Sequence, residues 1–288
     1  MEGGYVLHGV PRHRRRPAYS NVNARVDALL SSAYLDRRAA QLNGTALASV
    51  AAGGVAEGIP AFVATDPALF DPLASVIVPA PGPLMLAQRA ERDEDWNTTS
   101  SLAIVDGHGN ALAMTTTINT HWGAHIEAGG MMLNNAMSNF SAGAVGGEVN
   151  GYAPNKRARS SIAPAIALDA QGRVGLAWGA AGGGPIPDYI VKTFLANQVY
   201  GMDIQAAINS DNWTGQGAAN SVAQLERGKP VTQLIAGMRS RYGYTAGTLN
   251  ETGLTSGLAG IAVSYGTDGR ATYHGAADNR RAGGANGY

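Results

Sequence analysis

Two short runs in the chain alternate small and apolar side chains with the two-residue period of a β-strand. They cover residues 100–105 and 111–118, and the sequence Asp106-Gly107-His108-Gly109-Asn110 lies between them. Turn-forming residues between two alternating runs are typical of a β-hairpin. The pattern therefore predicts a hairpin over residues 100–118.

The register of this hairpin places several polar residues on one face. A turn centred on His108 pairs Val105 with Ala111 and, beyond the far end of the ladder, Thr99 with Thr117. Alternation then divides the second strand into an apolar face and a face of small or polar side chains. The small and polar face carries Ala111, Ala113, Thr115, Thr117 and Asn119.

Apolar periodicity predicts further elements on both sides of the hairpin. A strand over 174–178 leads into the glycine-rich stretch 179–184, and a helix follows over 188–200. Five apolar residues form the predicted inner face of that helix: Ile190, Val191, Phe194, Leu195 and Val199. The remaining predicted elements are helices over 20–42 and 233–241 and a final hairpin of 260–265 with 270–274. Residues 45–98 are proline-rich and aperiodic, which is typical of a linker.

Composition and charge narrow the classes of function. Lys plus Arg equals Asp plus Glu at 21 each, so no net charge favours a nucleic-acid partner. The absence of cysteine excludes disulfides, thiolate metal sites and a cysteine nucleophile. His121, His125 and Glu127 have the spacing of a helical metal pair, but Gly123 and the strand context argue against a metal site. The N-terminal residues lack the apolar core of a signal peptide.

Candidate chemistry lies at one end of the small hairpin face. Threonine is a common strand residue, so an isolated threonine pair usually has only a structural role. Here Thr99, Thr117 and Asn119 converge at one place, and a threonine hydroxyl is a nucleophile once a base accepts its proton. The glycine-rich stretch 179–184 could instead cradle a phosphate, but no Lys-Ser or Lys-Thr follows it.

These residues begin an ordered set of motifs that resembles a known family. Thr99-Ser-Ser-Leu-Ala-Ile-Val-Asp106 is followed by Gly109-Asn-Ala-Leu-Ala-Met-Thr-Thr-Thr-Ile-Asn119. Shorter motifs follow in order: Leu133-Asn134-Asn135, Phe140-Ser141, Asn155-Lys156-Arg157, Ser160-Ser161, Gly182-Gly183 and, near the end, Asp278-Asn279-Arg280 with Gly287-Tyr288. Together they resemble the small subunit of the γ-glutamyltranspeptidase family over residues 99–288.

The resemblance implies an N-terminal-nucleophile hydrolase of the α+β class with an αββα sandwich, which this chain would hold incompletely. Residues 1–98 would be a remnant of the large subunit and a linker, and 99–288 the small-subunit catalytic domain. Cleavage between Thr98 and Thr99 would produce subunits that form a heterodimer; the run Asn97-Thr98-Thr99 leaves Thr98 as the alternative new amino terminus, and a count of seven residues back from Asp106 favours Thr99. The implied partners are a small γ-glutamyl or acyl amide and an acceptor, with no cofactor, metal or nucleic acid. The implied compartment is periplasmic or secreted.

The resemblance also assigns roles to individual residues. Thr99 would be the nucleophile, and its freed α-amine, with an ordinary pKa of about 7.7–8.0, would be the base. Thr117 would orient Thr99, and the backbone N–H groups of Gly182 and Gly183 would stabilise the oxyanion. Four residues match positions that bind the carboxylate and α-amino end of a γ-glutamyl group: Asn119, Asn139, Ser160 and Ser161.

Three departures from the family pattern leave other functions open. Asn139 stands where the family has an aspartate, so the charge that would pair with a substrate α-ammonium is missing. The stretch 141–155 is short and glycine-rich where many relatives have a longer lid loop, and only 98 residues precede Thr99. A cephalosporin-acylase-like amidohydrolase is therefore one alternative. A catalytically inactive truncated member, or a non-enzymatic partner chain, is another.

Overall fold

The computed structural model describes residues 31–40, 98–141, 150–152, 158–215, 223–229, 232–242 and 249–287. These residues fall into two compact units. The smaller unit contains residues 31–40, 136–141, 150–152 and 158–160, and the larger unit contains the other described residues. The division of the chain at Thr99 stays a prediction.

The described elements are mostly short strands, with short helices between some of them. The described strands are β1 (Ser100–Val105), β2 (Ala111–Thr116), β3 (Glu127–Ala128), β4 (Met131–Met132), β5 (Ala165–Leu168), β6 (Val174–Ala181), β7 (Trp213–Gly215), β8 (Ala223–Glu226), β9 (Leu249–Thr252), β10 (Gly257–Tyr265) and β11 (Ala271–Ala277). The described helices are α1 (Ser32–Ala40), α2 (Ile186–Phe194), α3 (Ile204–Asn209) and α4 (Thr232–Tyr242). A 3-10 turn covers Ala136–Asn139 and a π-helical turn covers Leu195–Val199.

Strand β6 lies at the centre of the larger unit. It pairs with β5 and β10 in an antiparallel sheet of order β11-β10-β6-β5. Leu176, Trp178 and Ala180 share a buried apolar cluster with residues of α2 and α3. Ala177 belongs to a second cluster, together with residues of β1 and β2. The sheet is therefore a middle layer, with helices on one face and the β1–β2 hairpin on the other.

The hairpin has the predicted register, with Val105 opposite Ala111 and Ser100 opposite Thr116. Its small face turns towards β6, while the apolar side chains of Ile104 and Leu112 are 54% and 46% exposed. Strand β2 ends at Thr116, two residues before the predicted end. The reason is local, because the Thr117 hydroxyl accepts a hydrogen bond from the Asn119 amide and starts a turn.

The helix after the glycine-rich stretch differs in part from the prediction. It begins at Ile186, and its regular part ends at Phe194, where the π-helical turn starts. Val191 and Val199, which were predicted to face inward, are 50% and 58% exposed. The buried stripe of α2 instead consists of side chains spaced at helical intervals: Ile186, Tyr189, Ile190 and Thr193. Val191 lies off that stripe, and the wider π-helical turn changes the rotation before Val199.

The other predicted elements are confirmed where they are described. Helix α4 matches the prediction over 233–241, and β10 with β11 form the final hairpin with strands longer than predicted. Of the helix predicted over 20–42, the structure describes Ser32–Ala40, and the rest lies outside the described residues, as does the predicted linker up to residue 97. Within the described residues, no helix is long and apolar enough to cross a bilayer.

Candidate active site

Thr99 and Thr117 lie side by side just beyond the last pair of the β1–β2 ladder. Thr99 Oγ1 donates a hydrogen bond of 3.0 Å to Thr117 Oγ1. The same Thr117 oxygen accepts a hydrogen bond of 2.8 Å from the Asn119 backbone amide. This oxygen therefore uses both of its lone pairs as acceptors. The Thr99 hydroxyl and the Asn119 amide are thus joined through one Thr117 oxygen.

The chain that follows Thr117 is held in a fixed turn. Asn119 has a φ of +81°, in the region that asparagine adopts more readily than most residues. Asn135 closes the turn, since its Nδ2 donates to Thr120 Oγ1 at 2.6 Å and its Oδ1 accepts from the Thr120 amide at 3.2 Å. Thr98 Oγ1 also reaches this turn, with a hydrogen bond of 3.4 Å to the Thr120 carbonyl. No role was predicted for Asn135 from the sequence. The Leu133-Asn134-Asn135 motif was the one feature there that pointed to this residue.

A glycine in β6 lets the hairpin approach the sheet closely. The hydroxyls of Ser101 and Thr115 lie 3.2 Å apart on the small face. A Cβ at Gly179 would lie 2.2 Å from Ser101 Oγ and 3.1 Å from Thr115 Oγ1. Any side chain at Gly179 would therefore push the hairpin away from β6.

The contact between Ser101 and Gly179 indicates that the Thr99–Thr117 pair lies near the carboxyl end of β6. Ser101 lies against Gly179, and the following residues of β1 pack towards Val174, so β1 and β6 run in opposite directions. Thr99 shares the face of Ser101 and lies one step further along it. The threonine pair is thus level with the carboxyl end of β6, where Gly182 and Gly183 begin the loop to α2.

The loop at the end of β6 has a backbone that only glycine adopts easily. Gly182 has a φ of +141° and Gly183 a φ of +70°. Ser161 Oγ donates a hydrogen bond of 2.7 Å to the Gly183 carbonyl, which also accepts from the Ile186 amide at 3.2 Å. The amides of Gly182 and Gly183 donate no hydrogen bond to any other described residue. Gly182 is buried and Gly183 is partly buried.

Two predicted substrate-binding residues belong to the smaller unit. Asn139 ends the 3-10 turn, and its carbonyl accepts a hydrogen bond of 2.8 Å from Asn150 Nδ2. The adjacent Phe140 ring packs on the Tyr152 ring with 5.0 Å between centroids. Ser160 is an exposed residue of the same unit. Ser161 and Asn119, by contrast, belong to the unit that contains Thr99.

A network of ion pairs and hydrogen bonds joins β8, β10 and the segment after β11. The spacing of residues along the sequence did not predict it. Arg280 donates to both carboxylate oxygens of Glu226, at 2.7 and 2.8 Å, and to Asp278 Oδ1 at 3.1 Å. The second Asp278 oxygen accepts from the Ser256 hydroxyl and from the Leu258 amide. Desolvation opposes ionisation of Glu226, but hydrogen bonds from Arg280 and the Asn212 amide, with the charges of Arg280 and Lys229, together outweigh it and lower the Glu226 pKa. The Asp278-Asn279-Arg280 motif therefore ties β11 to β8 and to the start of β10.

A buried lysine extends this network to the end of α3. Lys192 Nζ donates to the carbonyls of Ile208 and Ser210 and to Asn212 Oδ1, at 3.2, 2.9 and 3.0 Å. Its side chain is buried, and desolvation lowers the Lys192 pKa to about 8, with a further contribution from the Arg280 charge. The position of these charges is architectural, because they bind the last carbonyls of a helix.

The predicted metal-type spacing occurs in a turn. His121 and His125 precede β3, and His125 has a φ of +57°. Among the residues that the structure describes, no three His, Asp or Glu side chains come close enough together to hold a metal ion.

Comparison with known proteins identifies a family. The family model for Gamma-glutamyltranspeptidase matches residues 12–288. A glutathione hydrolase proenzyme of Escherichia coli is 37% identical over 130 residues, which are 42% of this chain and 22% of that protein. Glutathione hydrolase 2 of Arabidopsis thaliana is 34% identical over 141 residues, which are 40% of this chain and 24% of that protein. The matched segments thus span about a quarter of these relatives.

Solved structures show the same fold. A crystal structure of Helicobacter pylori gamma-glutamyltranspeptidase superposes with a TM-score of 0.55 at 26% identity, over 63% of this chain and all of that chain. A cephalosporin acylase from Bacillus halodurans superposes with a TM-score of 0.63 over 91% of this chain and 39% of that chain. At 18% identity the latter shows the fold alone. Because the family model matches nearly the whole length of this chain, the chain belongs to the gamma-glutamyltranspeptidase family of N-terminal-nucleophile hydrolases.

Proposed function

We propose that this chain cleaves itself before Thr99 and then hydrolyses or transfers a γ-glutamyl amide with Thr99 as the nucleophile. The observation that carries the proposal is the 3.0 Å hydrogen bond between the hydroxyls of Thr99 and Thr117. It holds a hydroxyl nucleophile level with Gly182 and Gly183, whose amides have no other described acceptor. A nucleophile and an oxyanion site at one end of one strand are the minimum for acyl transfer.

Self-cleavage uses the Thr99 hydroxyl against the preceding peptide bond. Its oxygen adds to the Thr98 carbonyl carbon, the carbon–nitrogen bond breaks, and the released nitrogen takes up the hydroxyl proton. Water then hydrolyses the resulting ester, which leaves a Thr98 carboxylate and a Thr99 with a free hydroxyl and a free α-amine. The α-amine has an ordinary pKa of about 7.7–8.0, which suits a base near neutral pH.

Turnover repeats the same chemistry on an external amide. The α-amine accepts the Thr99 hydroxyl proton as the oxygen attacks the amide carbon, and the oxyanion is stabilised by the Gly182 and Gly183 amides. Collapse of this intermediate expels the amine, which takes the proton, and leaves an ester on Thr99. Water or an acceptor amine then releases the acyl group. Asn119 and Ser161, in the same unit, bind the substrate's amino-acid end in this proposal.

The names of the relatives support the substrate class. The Escherichia coli relative is named a glutathione hydrolase proenzyme, which states both a γ-glutamyl substrate and a precursor that is processed. For this chain we propose glutathione-type γ-glutamyl compounds as substrates and a heterodimer of residues 1–98 and 99–288 as the processed form. A periplasmic or secreted location stays a prediction.

The neutral amide of Asn139 favours a second candidate within the same chemistry. A carboxylate at this position could pair with a substrate α-ammonium, whereas an amide offers only a hydrogen bond. An acyl group without an α-amine, such as glutaryl, would lose nothing by this change. The second candidate is therefore an acylase that prefers glutaryl amides to γ-glutamyl amides. A non-enzymatic partner chain is the remaining alternative, because the aligned segments span only part of the relatives.

Intact-mass measurement after incubation at neutral pH tests the proposal first. Two fragments, 1–98 and 99–288, are expected from the unmodified chain, and a single species of 29.6 kDa from Thr99→Ala. Thr98→Ala is the matched control and should still be cleaved at the same bond. Parallel assays with glutathione and a glutaryl amide then separate the two enzyme candidates. An unmodified chain that stays intact would support the non-enzymatic alternative.

A further inference from the structure

We propose that Arg281 is a positioning residue that fixes the Gly182–Gly183 loop through the carbonyl of Thr255. The inference rests on the proposed function, because that function gives the two glycine amides their role as oxyanion donors. Arg281 directly follows the Asp278-Asn279-Arg280 motif but makes different contacts. Its partner carbonyl belongs to the segment between β9 and β10.

The Tyr189 ring and the Thr255 carbonyl both lie beside Gly182, on the side where a Cβ would be. A Cβ at Gly182 would lie 2.5 Å from Cε2 of the Tyr189 ring and 3.6 Å from the Thr255 carbonyl oxygen. The Tyr189 side chain is 1% exposed and belongs to the buried stripe of α2, so it cannot move aside. The Thr255 carbonyl, in contrast, belongs to an irregular segment, and its direction depends on what binds it. The Gly182 backbone therefore packs against a rigid ring and an adjustable carbonyl, and a shift of that carbonyl gives the loop room to move.

Arg281 holds that adjustable carbonyl with two nitrogen atoms. Its Nε and Nη2 donate to the Thr255 oxygen at 3.2 and 2.9 Å. The side chain reaches this position across Gly257, where a Cβ would lie 2.8 Å from Arg281 Cδ. Gly257 is the β10 residue that pairs with Ala181, the last residue of β6. Arg281 thus contacts the sheet at the point where the glycine loop begins.

The guanidinium group suits this task better than an ammonium group. Its two donors are fixed in one plane, so a single carbonyl that accepts both is held in direction as well as in distance. Lysine would supply the charge with one movable donor, and methionine would supply only the length of the side chain. The series Arg281, Arg281→Lys and Arg281→Met therefore separates direction, charge and packing.

Hydrogen exchange at the loop is the direct test, because it needs no catalytic activity. The full chain, Arg281→Met and Arg281→Lys are compared by exchange of the peptide that contains Gly182 and Gly183. Arg270→Met is the matched control, because the Arg270 side chain is 90% exposed in the β10–β11 turn. We expect exchange in this peptide to rise about tenfold in Arg281→Met, to rise less in Arg281→Lys, and to be unchanged in Arg270→Met.

Kinetics with a chromogenic γ-glutamyl anilide then links the loop to the reaction. A misplaced oxyanion donor lowers kcat with little change in KM, and we expect a fall of about tenfold for Arg281→Met. Loop exchange in Arg281→Met equal to that in Arg270→Met would overturn the proposal, and so would an unchanged kcat in an active enzyme. If the unmodified chain hydrolyses no anilide, the proposed function fails, while loop exchange still decides the role of Arg281. If Arg281→Met does not fold, Arg281→Lys takes its place: loop exchange equal to that in Arg270→Met, or an unchanged kcat, would then overturn the proposal.

Discussion

Replacing Gly179 by alanine should separate the Thr99–Thr117 pair from the glycine loop. The new Cβ would lie 2.2 Å from Ser101 Oγ and 3.1 Å from Thr115 Oγ1, distances that force a neighbour to move. Ser101 could turn its hydroxyl away only by giving up its hydrogen bonds to Thr115 Oγ1 and to the Met114 carbonyl. Otherwise the whole hairpin must move away from β6.

The two costs can be estimated from these contacts. Overpacking a buried contact costs about 1–3 kcal/mol, and each lost hydrogen bond adds about 0.5–1.5 kcal/mol. We therefore expect Gly179→Ala to unfold about 5–15 °C lower than the unmodified chain. A hairpin shift of about 1 Å would also displace Thr99 from the oxyanion donors, which costs roughly a hundredfold in rate.

The assay measures the rate of self-cleavage by intact mass, alongside the thermal midpoint. Gly184→Ala is the control, because a Cβ there meets no atom within 4 Å. Ser101→Ala combined with Gly179→Ala should recover most of the loss, since the nearest remaining Ser101 atom, Cβ, lies 3.5 Å from the new methyl group. If Gly179→Ala cleaved as fast as Gly184→Ala, with the same midpoint, then close approach at Gly179 would not position Thr99.

Three further predictions concern Thr117, Gly182 and Glu226. Thr117→Val should slow cleavage before Thr99 at least about tenfold while Thr117→Ser retains most of the rate, because only the hydroxyl holds Thr99 Oγ1; time-resolved mass measurement distinguishes them. Gly182→Ala should lower kcat, since the φ of +141° at Gly182 and the Tyr189 ring leave no room for a methyl group. A kcat equal to that of the unmodified chain would contradict this, and the thermal midpoint is measured alongside to detect a loss of folding. The pKa of Glu226 is lowered in the folded chain, so its ion pair with Arg280 contributes stability above the unfolded pKa, near 4.5, and loses it as pH falls below that value. Thermal midpoints measured from pH 7 to pH 3 should therefore fall more steeply for the unmodified chain than for Glu226→Gln.

Three glycines in and just after β6 position the parts of the proposed site. Gly179 lets two β layers come close enough for hydroxyls of one layer to touch the backbone of the other. Gly182 and Gly183 follow at the end of the same strand, with positive φ angles and with amides that donate to no other described residue. At Gly179 the absence of a side chain is therefore what permits the close approach of the two layers.

The hairpin could be predicted from sequence in detail, down to the pairing of Val105 with Ala111. Turn residues and alternation act over a few neighbouring positions, so they determine the register by themselves. The same local rules predicted the strand and helix around the glycine-rich stretch. They failed for Val199 because a π-helical turn changes the rotation of the helix, and nothing in the apolar spacing signals that turn. The roles of the site residues, Thr99 included, came from the family resemblance and stay predictions.

The sequence by itself therefore determined the local elements and brought Thr99 opposite Thr117. Only the tertiary structure decided that the small face of the hairpin lies on Gly179, which sets the pair level with Gly182. Only the tertiary structure, too, joined Arg281 to Thr255, residues that are far apart in the chain. The physical reason is that local propensity acts between neighbours, whereas such contacts depend on how separate elements pack, and residue spacing does not encode their partners.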